Sequence, residues 1–232
     1  MTHSVAQEYS LLTRINERVT RCRLCPRLLD HIEHVGKIKV KRFKNEDYWA
    51  KPLPSFGDTK AKLLIIGLAP AAHGGNRTGR MFTGDSSGDW VAKAMFETGF
   101  ATIPISQSRN DGLILKDAYI TAAVRCAPPN NKPSLSETLN CSQYLLEELK
   151  ILDHTIRVIL TLGKIAFDTY CRIANLKGLI FRHGVYYSIG DGKILLASYH
   201  PSRQNTNTGK LTWQMWIDVF RTAKSIIITA NG

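Results

Sequence analysis

The amino-acid sequence predicts a three-layer α/β/α sandwich around a central, mainly parallel, four-stranded sheet. Three observations lead there. Apolar runs without polar alternation occupy residues 62–67, 118–124, 156–162 and 193–198, the pattern of parallel strands buried on both faces. Helical stretches around 90–97, 136–149, 164–173 and 212–228 alternate with those runs, and such alternation builds layered α/β domains. The 232 residues are 44% hydrophobic, enough for one sizeable core, and no internal repeat or low-complexity linker divides them, so residues 1–232 are expected to form a single domain.

From the amino end, Val5, Leu11, Leu12, Ile15 and Val19 recur among polar residues and predict an amphipathic helix that delivers the chain to Cys22. The run Lys37-Ile38-Lys39-Val40-Lys41-Arg42-Phe43-Lys44 mixes charge with single apolar residues and leads toward Pro52 and Pro54. It reads as an exposed, strand-like excursion, and more simply as a solvated face than as a phosphate contact. In open parallel sheets, function gathers at the carboxyl ends of the strands. Segments 67–85, 125–133 and 199–209 occupy such ends and are expected to converge on one cleft. Each is rich in Gly, Pro or Asn, as loops that bring bare backbone to a ligand tend to be.

Lys and Arg number 31 against 19 Asp and Glu, a formal net charge of +12. That balance favours a polyanionic partner, with nucleic acid ahead of solubility as its reason. No segment approaches the roughly 20 apolar residues of a membrane span, and the amino end lacks the basic and apolar regions of a signal peptide. The expectation is a soluble, intracellular protein with no membrane partner. In such a reducing compartment the five cysteines read as ligands or buried thiols rather than disulfides.

Cys22-Arg23-Leu24-Cys25-Pro26 brings two thiols close enough to share a metal centre, and Cys126 and Cys141 can add two more from a strand end and the following helix. Four thiolates suit zinc or an iron-sulfur cluster, and spacing alone does not choose between them. Unligated, partly buried thiols are a lesser alternative. A redox Cys-x-x-Cys pair is another, but such pairs sit between a strand and a helix, whereas this one follows an N-terminal helix. Cys171, alone in an apolar helical stretch, reads as core packing.

The loop Gly67-Leu68-Ala69-Pro70-Ala71-Ala72-His73-Gly74-Gly75-Asn76-Arg77-Thr78-Gly79-Arg80-Met81-Phe82-Thr83-Gly84-Asp85 is too long and glycine-rich for a simple strand-to-helix connection. It carries neither the Gly-Lys-Ser/Thr of a nucleotide P-loop nor a clean Gly-x-Gly-x-x-Gly opening a helix. It resembles the first active-site motif of family 5 of the uracil-DNA glycosylase superfamily. His200-Pro201-Ser202-Arg203-Gln204-Asn205-Thr206-Asn207-Thr208-Gly209 resembles that superfamily's closing motif. Cys22, Cys25, Cys126 and Cys141 stand where families 4 and 5 carry a four-iron cluster, so the resemblance spans the chain from Cys22 to Trp216.

The resemblance implies a monofunctional DNA repair glycosylase with a 4Fe-4S cluster, working in a prokaryotic cytoplasm in association with the nucleoid. Such an enzyme flips uracil, and other deaminated bases such as hypoxanthine, out of double-stranded DNA and hydrolyses the bond to the sugar, leaving an abasic site. It sets His200 beside the carbonyl of the departing base. Ala71 and Ala72 stand where other families place a polar, water-activating residue, which leaves Asp85 as the substitute. Without the resemblance, Gly84-Asp85-Ser86-Ser87 is good helix-capping chemistry. Gly67, Ala69, His73 and Phe82 are assigned to the substrate, Phe82 as the ring on which the base stacks. A loop-fixing hydrogen bond for His73 and ordinary core packing for Phe82 are the alternatives.

Ser202 is also assigned to the substrate, and Arg203, Gln204, Asn205 and Asn207 to the minor groove or the phosphates around the flipped base. Many superfamily members read uracil with an Asn near the end of the second strand; this chain has Thr121-Ala122-Ala123 there, which implies a roomy pocket. A monomer is expected, and a sliding clamp stands as a candidate protein partner. Two other readings compete. A nucleic-acid-binding module stabilised by zinc or iron-sulfur would have no glycosylase activity, and metal analysis separates zinc from iron. An electron carrier would need no long polar loops ending at His200.

Overall fold

The computed structural model describes residues 5–230. Two helices, α1 (Val5–Thr20) and α2 (Pro26–Ile38), precede a short strand β1 (Phe56–Gly57) and the first core strand β2 (Leu63–Gly67). A one-turn helix α3 (Gly75–Thr78) and α4 (Ser86–Glu97) follow, then β3 (Ala118–Ala122), α5 (Leu135–Leu152), β4 (Val158–Leu162) and α6 (Lys164–Ile173). The chain ends through β5 (Tyr186–Ser188), β6 (Ile194–Ser198), the short α7 (Arg203–Asn207) and α8 (Trp213–Thr229).

The strands form one sheet in the order β1-β3-β2-β4-β6-β5. The four inner strands are parallel, as their unalternating sequences predict, and all are buried along nearly their whole length. Two antiparallel edge strands, β1 on β3 and β5 on β6, raise the count from the expected four to six. They escape a periodicity reading because they are two and three residues long and partly exposed.

Side chains of the inner strands alternate between two cores. Leu64, Ile66, Tyr119, Ile159 and Leu195 pack with Leu12, Ile15, Leu28, Ile32, Leu145 and Phe167 of α1, α2, α5 and α6. Leu63, Ile65, Ile120, Leu160 and Leu196 pack with Val91, Met95, Trp216 and Phe220 of α4 and α8. Cys171 is buried in the first of these cores, as predicted.

The strand-like excursion expected from residue 37 is not a strand. Helix α2 runs to Ile38, and a single 3₁₀ turn covers Lys41–Phe43. Pro26 stands at the first helical turn, where its missing N–H costs nothing, and Leu28, Leu29, Ile32 and Val35 bury one helical face. The helix closes at Lys39, whose φ of 48° lets its N–H reach the Val35 carbonyl. Among the described residues, no helix is long and apolar enough to cross a membrane.

Candidate active site

Parallel register places the carboxyl ends of β2, β3, β4 and β6 at one edge of the sheet, with Gly67 opposite Ala122 and Leu162 opposite Ser198. The glycine-rich loop leaves β2 there and segment 199–209 leaves β6. The two are joined. The Ser87 hydroxyl donates to the Pro201 carbonyl at 3.0 Å, and Arg203 Nε donates to the Ser86 hydroxyl at 3.2 Å. Phe82 and His200 face one another with ring centroids 6.0 Å apart and planes inclined by 33°. Gly67 makes room for that aromatic, since a Cβ there would stand 2.9 Å from the Phe82 ring. Phe82 is 8% exposed and holds a left-handed φ of 49°, an unfavourable conformation that the surrounding loop imposes.

Asp85 is the N-cap of α4, its Oδ1 accepting the Gly88 N–H at 2.9 Å. The capping alternative is therefore real, but it occupies one oxygen. The other, Oδ2, lies over Gly74, where any Cβ would overlap it. Burial raises the Asp85 carboxyl above the usual carboxylate range, and the Gly88 and Ser87 amides draw it partly back. A carboxylate of raised basicity, with one oxygen pinned by a helix end, is suited to accept a proton from water.

His200 has the opposite perturbation. Burial lowers its imidazole to about 4, so the ring is neutral at pH 7. Among the described residues neither ring nitrogen has a hydrogen-bond partner. Its backbone is fixed instead. The His200 carbonyl accepts the Ser202 N–H at 2.8 Å and the Asn205 side-chain amide at 2.8 Å. His183 supports the preceding residue: its Nδ1 accepts the Tyr199 N–H at 3.2 Å, which makes Nε2 the protonated nitrogen, donating to the Met215 carbonyl at 3.2 Å. Gly163, with φ of 96°, packs close by, and a Cβ on it would meet the His200 Cβ at an ordinary 3.5 Å.

The other residues singled out by sequence are distributed around this centre. His73 Nδ1 pairs with the Tyr48 hydroxyl at 3.1 Å, and burial, then the charges of Arg42 and Arg77, lower its pKa. Ala69 is half-buried against the first core. Ser202 caps α7 by accepting the Asn205 N–H at 3.3 Å, Asn205 braces His200, and Arg203, Gln204 and Asn207 are exposed. Residues not foreseen hold the loop in shape. Arg77 is buried, donates to the carbonyls of His73 and Gly84 at 2.9 Å each, and pairs with Glu46. Arg80 is buried beside Asp111 at 2.7 Å and reaches the Thr83 hydroxyl at 3.0 Å. Their partners lie up to 31 residues away in sequence, so no local pattern signals them.

Cys22 follows α1, Cys25 is the N-cap of α2, Cys126 follows β3 and Cys141 lies in α5. Cys126 and Cys141 lie in the first core, and Cys22 and Cys25 pack against it. Burial pushes the Cys126 thiol well up, helped by the proximity of Cys141, Cys22 and Cys25, and Cys141 is pushed up to about 11. Arg27 binds Glu137 through bonds of 2.8 and 2.6 Å, tying α2 to α5 across this group. Among the described residues, no three His, Cys, Asp or Glu side chains form a group able to hold a metal ion.

The family model of the uracil DNA glycosylase superfamily matches residues 54–223. The chain is 43% identical over 218 residues to the type-5 uracil-DNA glycosylase of Mycobacterium leprae, covering 93% of this chain and 95% of that protein. It is 46% identical over 212 residues to the type-5 uracil-DNA glycosylase of Thermus thermophilus, with 90% and 95% covered. A third relative, the type-5 uracil-DNA glycosylase of Pyrobaculum aerophilum, is 43% identical over 206 residues, with 89% of each chain covered.

Proposed function

The chain belongs to the uracil DNA glycosylase superfamily, and from that membership we infer that it is a DNA repair hydrolase that releases uracil from DNA by cleaving the N-glycosidic bond. At the level of residues, the reading is supported by the Phe82–His200 ring pair and by the bonds of Ser86 and Ser87, which directly follow Asp85, to Arg203 and Pro201. Cleavage develops negative charge on the departing base and positive charge on the sugar, and both need a fixed partner. The flipped base stacks on Phe82. Neutral His200 donates a hydrogen bond to the base carbonyl as its charge grows, and Asp85 Oδ2 orients a water toward the anomeric carbon. That carbon gains the water oxygen as it loses the base nitrogen, and the water proton passes to Asp85.

We propose that hypoxanthine is released as well. The Thr121 hydroxyl, in the strand where an Asn would read uracil, is turned away into a 2.6 Å hydrogen bond to Glu148, and Ala122 and Ala123 offer no side-chain hydrogen bond. Without fixed partners, discrimination between bases is weak. Incubation with duplexes containing one uracil or one hypoxanthine, followed by alkaline cleavage of abasic sites, is expected to break both. Intact uracil duplex overturns the activity; intact hypoxanthine duplex alone confines it to uracil.

We assign the four cysteines to a 4Fe-4S cluster on the chemistry of the donor set, four soft thiols in or against one core, although their positions do not make a single-ion site. Burial makes the Cys126 and Cys141 thiols resist ionisation, and iron would supply the counter-charge that their thiolates need. Cys22, Cys25, Cys126 and Cys141 would hold the cluster, and when bound it ties the α1–α2 segment to the sheet. Protein purified without oxygen is expected to be brown with about four iron atoms per chain, and Cys22→Ala to lose iron and melting temperature together. Stoichiometric zinc without iron would refute the assignment.

A further inference from the structure

The basic run at 37–44 belongs to a larger surface that sequence does not reveal. Three exposed cations rest on aromatic rings beside the glycine-rich loop. The Arg42 guanidinium lies 4.5 Å from the Phe43 ring centroid, and the Arg109 guanidinium and Lys51 ammonium lie 4.7 and 5.5 Å from that of Trp49. Both rings are anchored to the loop. Arg77 covers Phe43 at 3.7 Å, the Trp49 backbone N–H donates to the Arg77 carbonyl at 2.9 Å, and a Cβ on Gly79 would stand 2.9 Å from Arg109.

Among the described residues, none of the three cations has a carboxylate partner. The acids nearby are engaged elsewhere: Glu46 with Arg77, Asp47 with Lys39 at 4.0 Å and Asp111 with Arg80. Exposed Lys41 and Lys44 flank Arg42 and are also unpaired among the described residues. The surface adjoins the reacting groups. Arg42 is close enough to act on the His73 imidazole, and the next residue, Gly74, carries the Asp85 carboxylate on its open face.

We propose that Arg42, Lys51 and Arg109 form a second DNA-binding surface, distinct from segment 199–209, that seats backbone phosphates of the duplex on the outer side of the glycine-rich loop. The inference rests on the glycosylase reading for its partner and deepens it. Unpaired cations held against rings are already ordered, so docking phosphates costs them less conformational entropy than free surface lysines would lose. The contacts are to backbone and carry no sequence information.

The test is the salt dependence of binding to uracil-containing and undamaged duplexes by the full chain and by the triple variant R42A/K51A/R109A. Removing one phosphate-binding cation should flatten the slope of log affinity against log salt by about 0.9, and removing all three by roughly 2.7, equally on both duplexes. A companion variant, R42K/R109K, keeps the charges and should retain most of the slope, which controls for damage to folding. A triple variant with the parental slope, or one whose loss appears on uracil DNA alone, overturns the proposal. Uracil release by the unaltered chain is measured alongside. Release with an unchanged triple-variant slope sinks the surface and leaves the glycosylase standing, whereas a flattened slope without any release sinks the glycosylase and leaves the surface.

Discussion

Asp85→Asn is expected to slow single-turnover uracil release by about 10²-fold or more, the scale of losing a positioned base, while the protein folds and caps α4 as before. Asn caps a helix about as well as Asp, so the Gly88 bond survives. The pH dependence gives a second signature. The active form is the carboxylate and burial raises its pKa, so the rate should climb with pH through a limb above the usual carboxylate range. That limb disappears in the variant. The stability sign is fixed by the same shift. A carboxyl whose folded pKa exceeds its unfolded value contributes stability below the unfolded pKa and loses it as pH rises through the folded pKa. Near neutrality the buried charge costs stability, and Asp85→Asn should melt at the same temperature as the parent or higher. Gly74→Ala is the complementary variant: the added methyl overlaps Oδ2 and must displace the carboxylate, so activity should fall although Asp85 remains. A well-folded Asp85→Asn protein with a normal rate reduces Asp85 to a cap and returns the role to His73 or to the backbone at 71–72.

The parts of this molecule legible in its sequence are those whose signal is local. Each inner strand carries an apolar run because both of its faces are covered, and the strand ends and the helices near 86–97 and 164–173 bound the loops between them. Helix α2 has readable signals of its own in Pro26 and the spacing of Leu28, Ile32 and Val35, but the charged run that begins inside it at Lys37 obscures where it ends. The framework of the site is not readable. Arg77, Arg80, Tyr48 and His183 act through partners that only folding brings near, and nothing around them distinguishes a buried arginine from a solvated one. Asn205 shows the same gap on a residue that sequence does single out: amide-rich composition suggests DNA, while the folded chain turns that amide onto the His200 carbonyl. The protonation of His200 is equally hidden, because sequence records the imidazole and not the burial that sets its pKa.

That burial leads to the last expectation. His200→Ala should slow base release by about 10²- to 10³-fold, the cost of removing one preorganised donor from a developing oxyanion, with little change in DNA affinity because phosphate contacts lie elsewhere. The protonation state separates two ways in which an imidazole can do this. With its pKa lowered to about 4, His200 is neutral through the physiological range, so the rate of the parent protein should show no inflection near pH 6.5 attributable to this ring. His200→Gln, which keeps a neutral donor, should recover part of the loss, as an imidazolium mechanism would not permit. Stability supplies an independent check. A histidine whose folded pKa lies below its unfolded value near 6.5 contributes full stability above that value, and loses it as pH falls toward about 4, because the unfolded chain takes up the proton first. The melting temperature of the parent should therefore decline across that window more steeply than that of His200→Ala. A rate inflection near 6.5 that vanishes in His200→Ala, with parallel melting curves for the two proteins, would show that the ring works as a cation and would overturn the neutral-donor assignment.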